Sequence, residues 1–77
     1  MAVGFVLITT ESASTQDVYG ALLRIPEIVE LTPLFGEYDF HAKIIADDFD
    51  LLGKVVVDKI RLIPGITGTK TLTGINL

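Results

Sequence analysis

From Val3 to Thr9 the chain reads Val-Gly-Phe-Val-Leu-Ile-Thr, apolar on both alternating faces. A β-branched run of this kind predicts a strand covered on both sides, and so a central one. Ser14-Thr15-Gln16-Asp17 has the form of a capping box, with Ser14 as N-cap and Asp17 three residues on. Val18, Ala21, Leu22 and Ile25 then recur at i, i+3, i+4 and i+7, the stripe of an amphipathic helix. Pro26 stops that helix. Ile28 to Phe35 reads as a second strand, and Pro33 marks it as an edge, because proline has no amide to give a neighbour.

Gly36-Glu37 predicts a tight turn. Asp39 to Ala46 forms the third strand, with Phe40, Ala42, Ile44 and Ala46 on one face and His41, Lys43 and Ile45 on the other. Asp47 and Asp48 open a second helix, where carboxylates suit the positive end of the dipole. Its core stripe is Phe49, Leu52, Val56, Ile60 and Ile63. Asp50, Lys54, Asp58 and Arg61 form a charged stripe opposite, with i, i+4 pairing expected between them. Pro64-Gly65 ends the helix. Ile66 to Leu77 is the last strand, with Thr67, Thr69, Thr71 and Thr73 expected on one side.

The two halves echo each other. Ile25-Pro26-Glu27-Ile28 recurs 38 residues later as Ile63-Pro64-Gly65-Ile66, each closing a helix and opening a strand. The expected architecture is therefore α+β, a ferredoxin-like βαββαβ plait occupying residues 1–77 as one domain. Four antiparallel strands would carry two helices on one face, with the first and third strands central. The other face is then bare, with Ile45, His41 and either Phe5 or Val6, depending on register, looking outward. An identical sheet is its simplest cover, giving a dimer.

Composition sharpens that expectation. In 77 residues, 49% are apolar, and mean hydropathy is +0.56. So short a chain buries only about 60% of its unfolded surface, so the apolar surplus points to a subunit interface. No apolar run reaches the roughly 20 residues of a membrane span, and no basic segment precedes the first strand as in a signal peptide. The absence of cysteine removes disulfides, thiolate metal sites and thiol nucleophiles, and fits a cytoplasmic location. Net charge is −4, and the six basic residues are scattered. Phosphate backbones need dense Lys/Arg contacts, so direct nucleic-acid binding is not expected.

Four groups of residues invite a chemical reading. In Gly36-Glu37-Tyr38-Asp39, backbone amides around Gly36 could hold a carboxylate, Asp39 an ammonium group, and Tyr38 a flat wall with a hydroxyl. The same residues also suit a plain hairpin turn. The threonine row is either a line of hydroxyls for a polar ligand or an edge strand with one solvated face. Asp47, Asp48 and Asp50 lack the spacing of a calcium loop, so helix capping accounts for them and no metal site is assigned. His41, the single histidine, has no nucleophile or orienting partner in the sequence pattern and suits an interface. No catalytic residue and no cofactor are assigned.

Taken in order, several segments resemble the effector-binding (RAM) domain of the Lrp/AsnC family of transcriptional regulators. They are Ile8-Thr9-Thr10, the helix end Leu23-Arg24-Ile25-Pro26-Glu27-Ile28, Phe35-Gly36-Glu37-Tyr38-Asp39, Asp58 to Ile66, and Thr69-Lys70-Thr71-Leu72. The resemblance covers essentially the whole length. It implies dimers paired through their sheets, dimers joined into rings that are often octamers, and amino acids bound between dimers near the glycine-tyrosine-aspartate hairpin. Carried over, it nominates Gly36, Glu37, Tyr38 and Asp39, with Thr69 and Thr71 facing the same cleft. Full regulators carry a helix-turn-helix domain before the first strand, and none is read here, so the resemblance is to a stand-alone version.

The function expected is that of a binding module and not an enzyme. It would sense an amino acid or related metabolite as an oligomer and pass that state to a partner, for example by mixing with full-length Lrp/AsnC regulators. Two other readings stay open. One is a small cofactor-free dimeric α+β-barrel enzyme, with a pocket inside each protomer lined by His41 or Tyr19. The other is a purely structural subunit.

Overall fold

The computed structural model describes residues 1–74 and places four antiparallel strands in the order β2-β3-β1-β4. The elements are β1 (Ala2–Thr10), α1 (Thr15–Leu23), β2 (Ile28–Pro33), β3 (Phe40–Ala46), α2 (Phe49–Val55) and β4 (Ile66–Thr73). A turn of 3-10 helix, Ser12–Ser14, leads into α1, and a π-helical segment, Val56–Ile60, continues α2. This is the ferredoxin-like plait, with β1 and β3 central and the proline-bearing β2 at an edge. The last strand ends at Thr73, and its expected continuation over 75–77 lies outside the described residues. None of the described helices is long and apolar enough to cross a membrane.

Register settles which residues face the helices. Val6 pairs with Ala42 and Thr71, and Ile8 with Phe40 and Thr69. Val6, Ile8, Ala42 and Ile44 are fully buried against Val18 and Leu22 of α1, Leu52 of α2 and Ile60 beyond it. Both helices therefore lie on one face. Gly4 permits the closest approach, because a Cβ there would stand 2.8 Å from Leu52 Cδ1. Phe5, not Val6, points to the bare face.

Several local expectations are corrected. β2 stops two residues short of Phe35: the Leu34 amide still donates to the Asp39 carbonyl at 2.8 Å, but the Asp39 amide turns to the Ile8 carbonyl of β1, and the β2–β3 ladder ends there. Ser14 makes no side-chain cap. Its backbone is already helical (φ −107°, ψ −1°), whereas a capping residue is normally extended. The second helix starts as expected: Asp48 accepts the Leu51 amide at 2.8 Å. That cap puts Phe49 in the exposed first turn, 55% accessible, while Val55 takes the expected core place.

The stripe Leu52, Val56, Ile60 advances four residues at a time, which in a regular α-helix drifts by about 40° per step. The π turn corrects the drift. The Arg61 amide reaches the Val56 carbonyl five residues back at 2.8 Å, which widens the turn and aims Ile60 into the core. No i, i+4 ion pair forms along the charged stripe of the described residues. The ion pair found among the described residues is instead Lys59–Glu27, 2.7 Å, between the π segment and the residue before β2. The threonine row is also broken. A register shift opposite Thr9/Thr10 leaves Thr67 unpaired in the ladder, and its hydroxyl lies 3.0 Å from Thr9 on the bare-face side. Thr69 and Thr71 keep to the helix side.

Candidate functional site

The loop from Leu34 to Asp39 is tied at its base to the end of β1. The Asp39 amide donates to the Ile8 carbonyl at 2.8 Å, and Asp39 Oδ2 accepts the Thr10 amide at 2.7 Å. Thr10 in turn shares a 3.0 Å hydroxyl contact with Thr15 at the start of α1. One oxygen of the Asp39 carboxylate is thus committed to the fold, while Oδ1 has no hydrogen bond to another described residue. Gly36 adopts φ +132°, where a side chain is disfavoured. Gly36 and Glu37 are exposed, and Tyr38 and Asp39 are half-buried. Phe35 beside them is fully exposed.

The structure therefore brings Gly36, Glu37, Tyr38 and Asp39 together on one anchored loop. Thr69 and Thr71 stand apart from it. Thr69 and Phe40 flank Ile8 from opposite sides, two strand spacings or about 10 Å apart, and Thr71 lies farther along β4. Of three clefts formed by the described residues, none is lined by Gly36, Glu37, Tyr38, Asp39 or Thr71. Thr69 lines a small one of about 300 Å³ with Arg61, Ile66, Thr67 and Gly68. Thr10, which holds the Asp39 carboxylate, was not legible beforehand, because the two residues are 29 positions apart with no local motif joining them.

His41 and Tyr19 fall on opposite sides of the sheet. His41 stacks on Phe5 on the bare face, with ring centroids 5.4 Å apart. Tyr19 stacks on Phe40 at 5.7 Å on the helix side, where it lines a cleft of about 380 Å³ with Thr15, Gln16, Gly20, Pro33 and Phe40. An intraprotomer pocket can use Tyr19, but His41 cannot share it. The bare face itself carries Val3, Phe5 and Leu7 beside His41, Lys43 and Ile45, all half-buried by one another, with Leu72 across from Phe5.

Away from the Gly36–Asp39 loop, the Lys59–Glu27 pair is the clearest electrostatic feature among the described residues. The hydrogen bond from the Lys59 ammonium holds the Glu27 carboxyl below its ordinary value. A depressed carboxyl stabilises the fold above its unfolded pKa and loses that contribution as pH falls through the folded value. Both side chains are partly exposed, at 44% and 28%, so the contribution is at most about 1 kcal/mol. Glu27→Gln is expected to lower stability by that amount or less at neutral pH and to make no difference in strong acid, as urea melts at the two pH values would read. A Glu27→Gln deficit that persists in acid would show that the pair is not its cause.

The profile of the Lrp/AsnC ligand binding domain matches residues 3–76. Among known proteins, the chain is 34% identical over 68 residues to the HTH-type transcriptional regulator FL11 of Pyrococcus horikoshii, a match spanning 88% of this chain and 44% of that one. The chain spans less than half the length of the curated relatives it matches. Among solved structures, FFRP-DM1 superposes with a TM-score of 0.91 at 33% identity, covering 97% of this chain and all of that one. E. coli AsnC superposes with a TM-score of 0.90 at 26% identity, covering 99% of this chain and 52% of that one.

Proposed function

The chain belongs to the Lrp/AsnC ligand binding domain family, and from that premise we propose that it is an effector-binding module that takes up an amino acid between subunits of an oligomer. In this reading the bare sheet faces of two copies pair, and the loop Gly36-Glu37-Tyr38-Asp39 meets a neighbouring pair. The backbone amides around Gly36 receive the ligand carboxylate, Asp39 Oδ1 its ammonium, and Tyr38 walls the space, with Glu37 beside them. Thr69 and Thr71 serve as polar groups from a neighbouring subunit, since within one protomer they are too far from the loop. The occupied oligomer passes its state to a partner regulator of the same family.

The observation that carries this is the half-committed carboxylate of Asp39. Its Oδ2 is anchored by the Thr10 amide at 2.7 Å, which fixes the side chain, while Oδ1 has no hydrogen bond to another described residue and the loop lines none of the three clefts above. An anchored group of that kind is pre-organised for a ligand that a second subunit encloses.

The test is a thermal-shift panel of the twenty amino acids. A ligand at a hundredfold excess over its Kd adds about 2.7 kcal/mol, which raises the melting temperature of so small a domain by roughly 10 °C or more. Asp39→Asn keeps an acceptor for Thr10 but removes the charge. It is expected to abolish the shift while leaving the ligand-free melting temperature within a few degrees. An unaltered shift in that variant would sink the assignment of Asp39, and a panel with no shift would sink the amino-acid reading.

A further inference from the structure

A cleft far from the Gly36–Asp39 loop lies between α2 with its π continuation and the end of β3. It holds about 370 Å³ and is lined by Glu27, Ile45, Ala46, Asp47, Leu51, Lys54, Val55, Asp58 and Lys59. That size is within the range of small-molecule sites, about 300–1,000 Å³. Leu51 and Val55 lie one turn apart on α2, and with Ala46 they give the cleft an apolar wall. Charges of both signs are set along it in alternation: Asp47 at the helix start, Lys54 in the middle, then Asp58 and the Lys59–Glu27 pair.

The charges are not equivalent. Lys59 and Glu27 satisfy each other, with Nζ 2.9 and 2.7 Å from the two carboxylate oxygens, and so close one end. Asp47, Lys54 and Asp58 form no ion pair with another described residue, although Lys54 and Asp58 stand at i, i+4 spacing. The π turn begins between them and widens the helix there. The result is a lone cation flanked by two lone anions over an aliphatic surface. A purely anionic ligand would meet two carboxylates, and a purely cationic one would meet Lys54. A small molecule bearing one carboxylate, one ammonium and an aliphatic chain matches all three.

We propose that this cleft is a second binding site, contained within one protomer, for an aliphatic α-amino acid or a zwitterion of the same chemistry. Lys54 takes the carboxylate, Asp58 or Asp47 takes the ammonium, and the side chain lies on Leu51 and Val55. The site needs no second subunit and does not depend on the Gly36–Asp39 loop.

Amide chemical-shift titrations of the full chain with L-leucine test it, alongside 3-methylbutylamine, which lacks the carboxylate, and 4-methylpentanoate, which lacks the ammonium. Saturable shifts are expected at Leu51, Lys54, Val55 and Asp58. Both truncated probes should bind at least about tenfold more weakly, a loss of 1.4 kcal/mol or more. Lys54→Met, which keeps the aliphatic stem, should weaken L-leucine by a similar factor, and Asp39→Asn should leave these shifts unchanged. The proposal is overturned if no saturable shift arises on α2 up to about 20 mM ligand, or if Lys54→Met binds as the parent does. Shifts confined to 36–39 would overturn it while supporting the loop as the effector site. Shifts confined to α2 and lost in Lys54→Met would do the reverse.

Discussion

Gly65→Ala is expected to destabilise the fold by about 2–5 kcal/mol, combining left-handed backbone strain with overpacking. Gly65 sits at φ +99°, at the junction where the second helix gives way to β4. A Cβ built there would stand 2.5 Å from Ser14 Cβ and 3.2 Å from Val18 Cγ2. The Gly65 carbonyl also accepts the Glu11 amide at 2.8 Å, so the backbone cannot retreat without losing that bond. The melting temperature should fall by at least about 10 °C. Gly36→Ala is the internal comparison, because Gly36 is also at positive φ but would meet nothing within 4 Å. It should show the backbone strain alone, about 1–2 kcal/mol. Adding Ser14→Gly to Gly65→Ala should recover the steric part, and urea melts of the parent, Ser14→Gly, Gly65→Ala and the double variant form the cycle. Equal costs at Gly36 and Gly65 would show that the Ser14 contact does not matter.

That junction shows what could be read from the chain and what could not. Ile63-Pro64-Gly65-Ile66 announces the end of a helix and the start of a strand, because proline and glycine act through their own backbone restrictions. The alternating buried positions of β1 and β3 were legible for the same reason: a strand's period of two is set locally. Phe49, Ser14 and Lys59 were not, because their roles depend on phase and on distant partners. Once Asp48 caps α2, Phe49 falls in the exposed first turn and Val55 enters the core. Ser14 is held in helical backbone beside Gly65, so its hydroxyl is not spent on a cap. Lys59, which lies outside the charged stripe, finds Glu27, 32 residues away, from within a π turn, and nothing in the sequence pattern marks a π turn.

The candidate site divides in the same way. Gly36 at positive φ follows from the turn chemistry of its neighbours. The anchoring of Asp39 by Thr10 follows only from β1 and β3 lying side by side, and it alters the meaning of the residue. An aspartate first read as a free ligand group is half structural, so Asp39→Ala would confuse loss of binding with loss of the loop. Asn separates the two.

Phe5→Glu is expected to convert the proposed sheet-paired dimer to monomers while leaving each protomer folded. Phe5 stands at the middle of the bare face, opposite Lys43 on β3 and Leu72 on β4, with its ring stacked on His41. Its neighbour Val6 is fully buried on the helix side, so the two positions test opposite faces of one strand. If an identical sheet covers this face, a carboxylate at position 5 loses its water, and Lys43 opposite it can pair with it only by giving up its own hydration, so burial still costs several kcal/mol in each copy. Sedimentation velocity should show the parent chain as a dimer or larger and Phe5→Glu as a monomer with an unchanged far-UV circular dichroism spectrum. The parent's melting temperature should rise with protein concentration, and the variant's should not, because association stabilises only a chain that associates. Val6→Glu should instead lose its secondary structure, since it buries the charge in the protomer's own core. A monomeric parent, or a Phe5→Glu chain that still pairs, would remove the sheet face from the assembly and leave its apolar residues to be covered by some other partner.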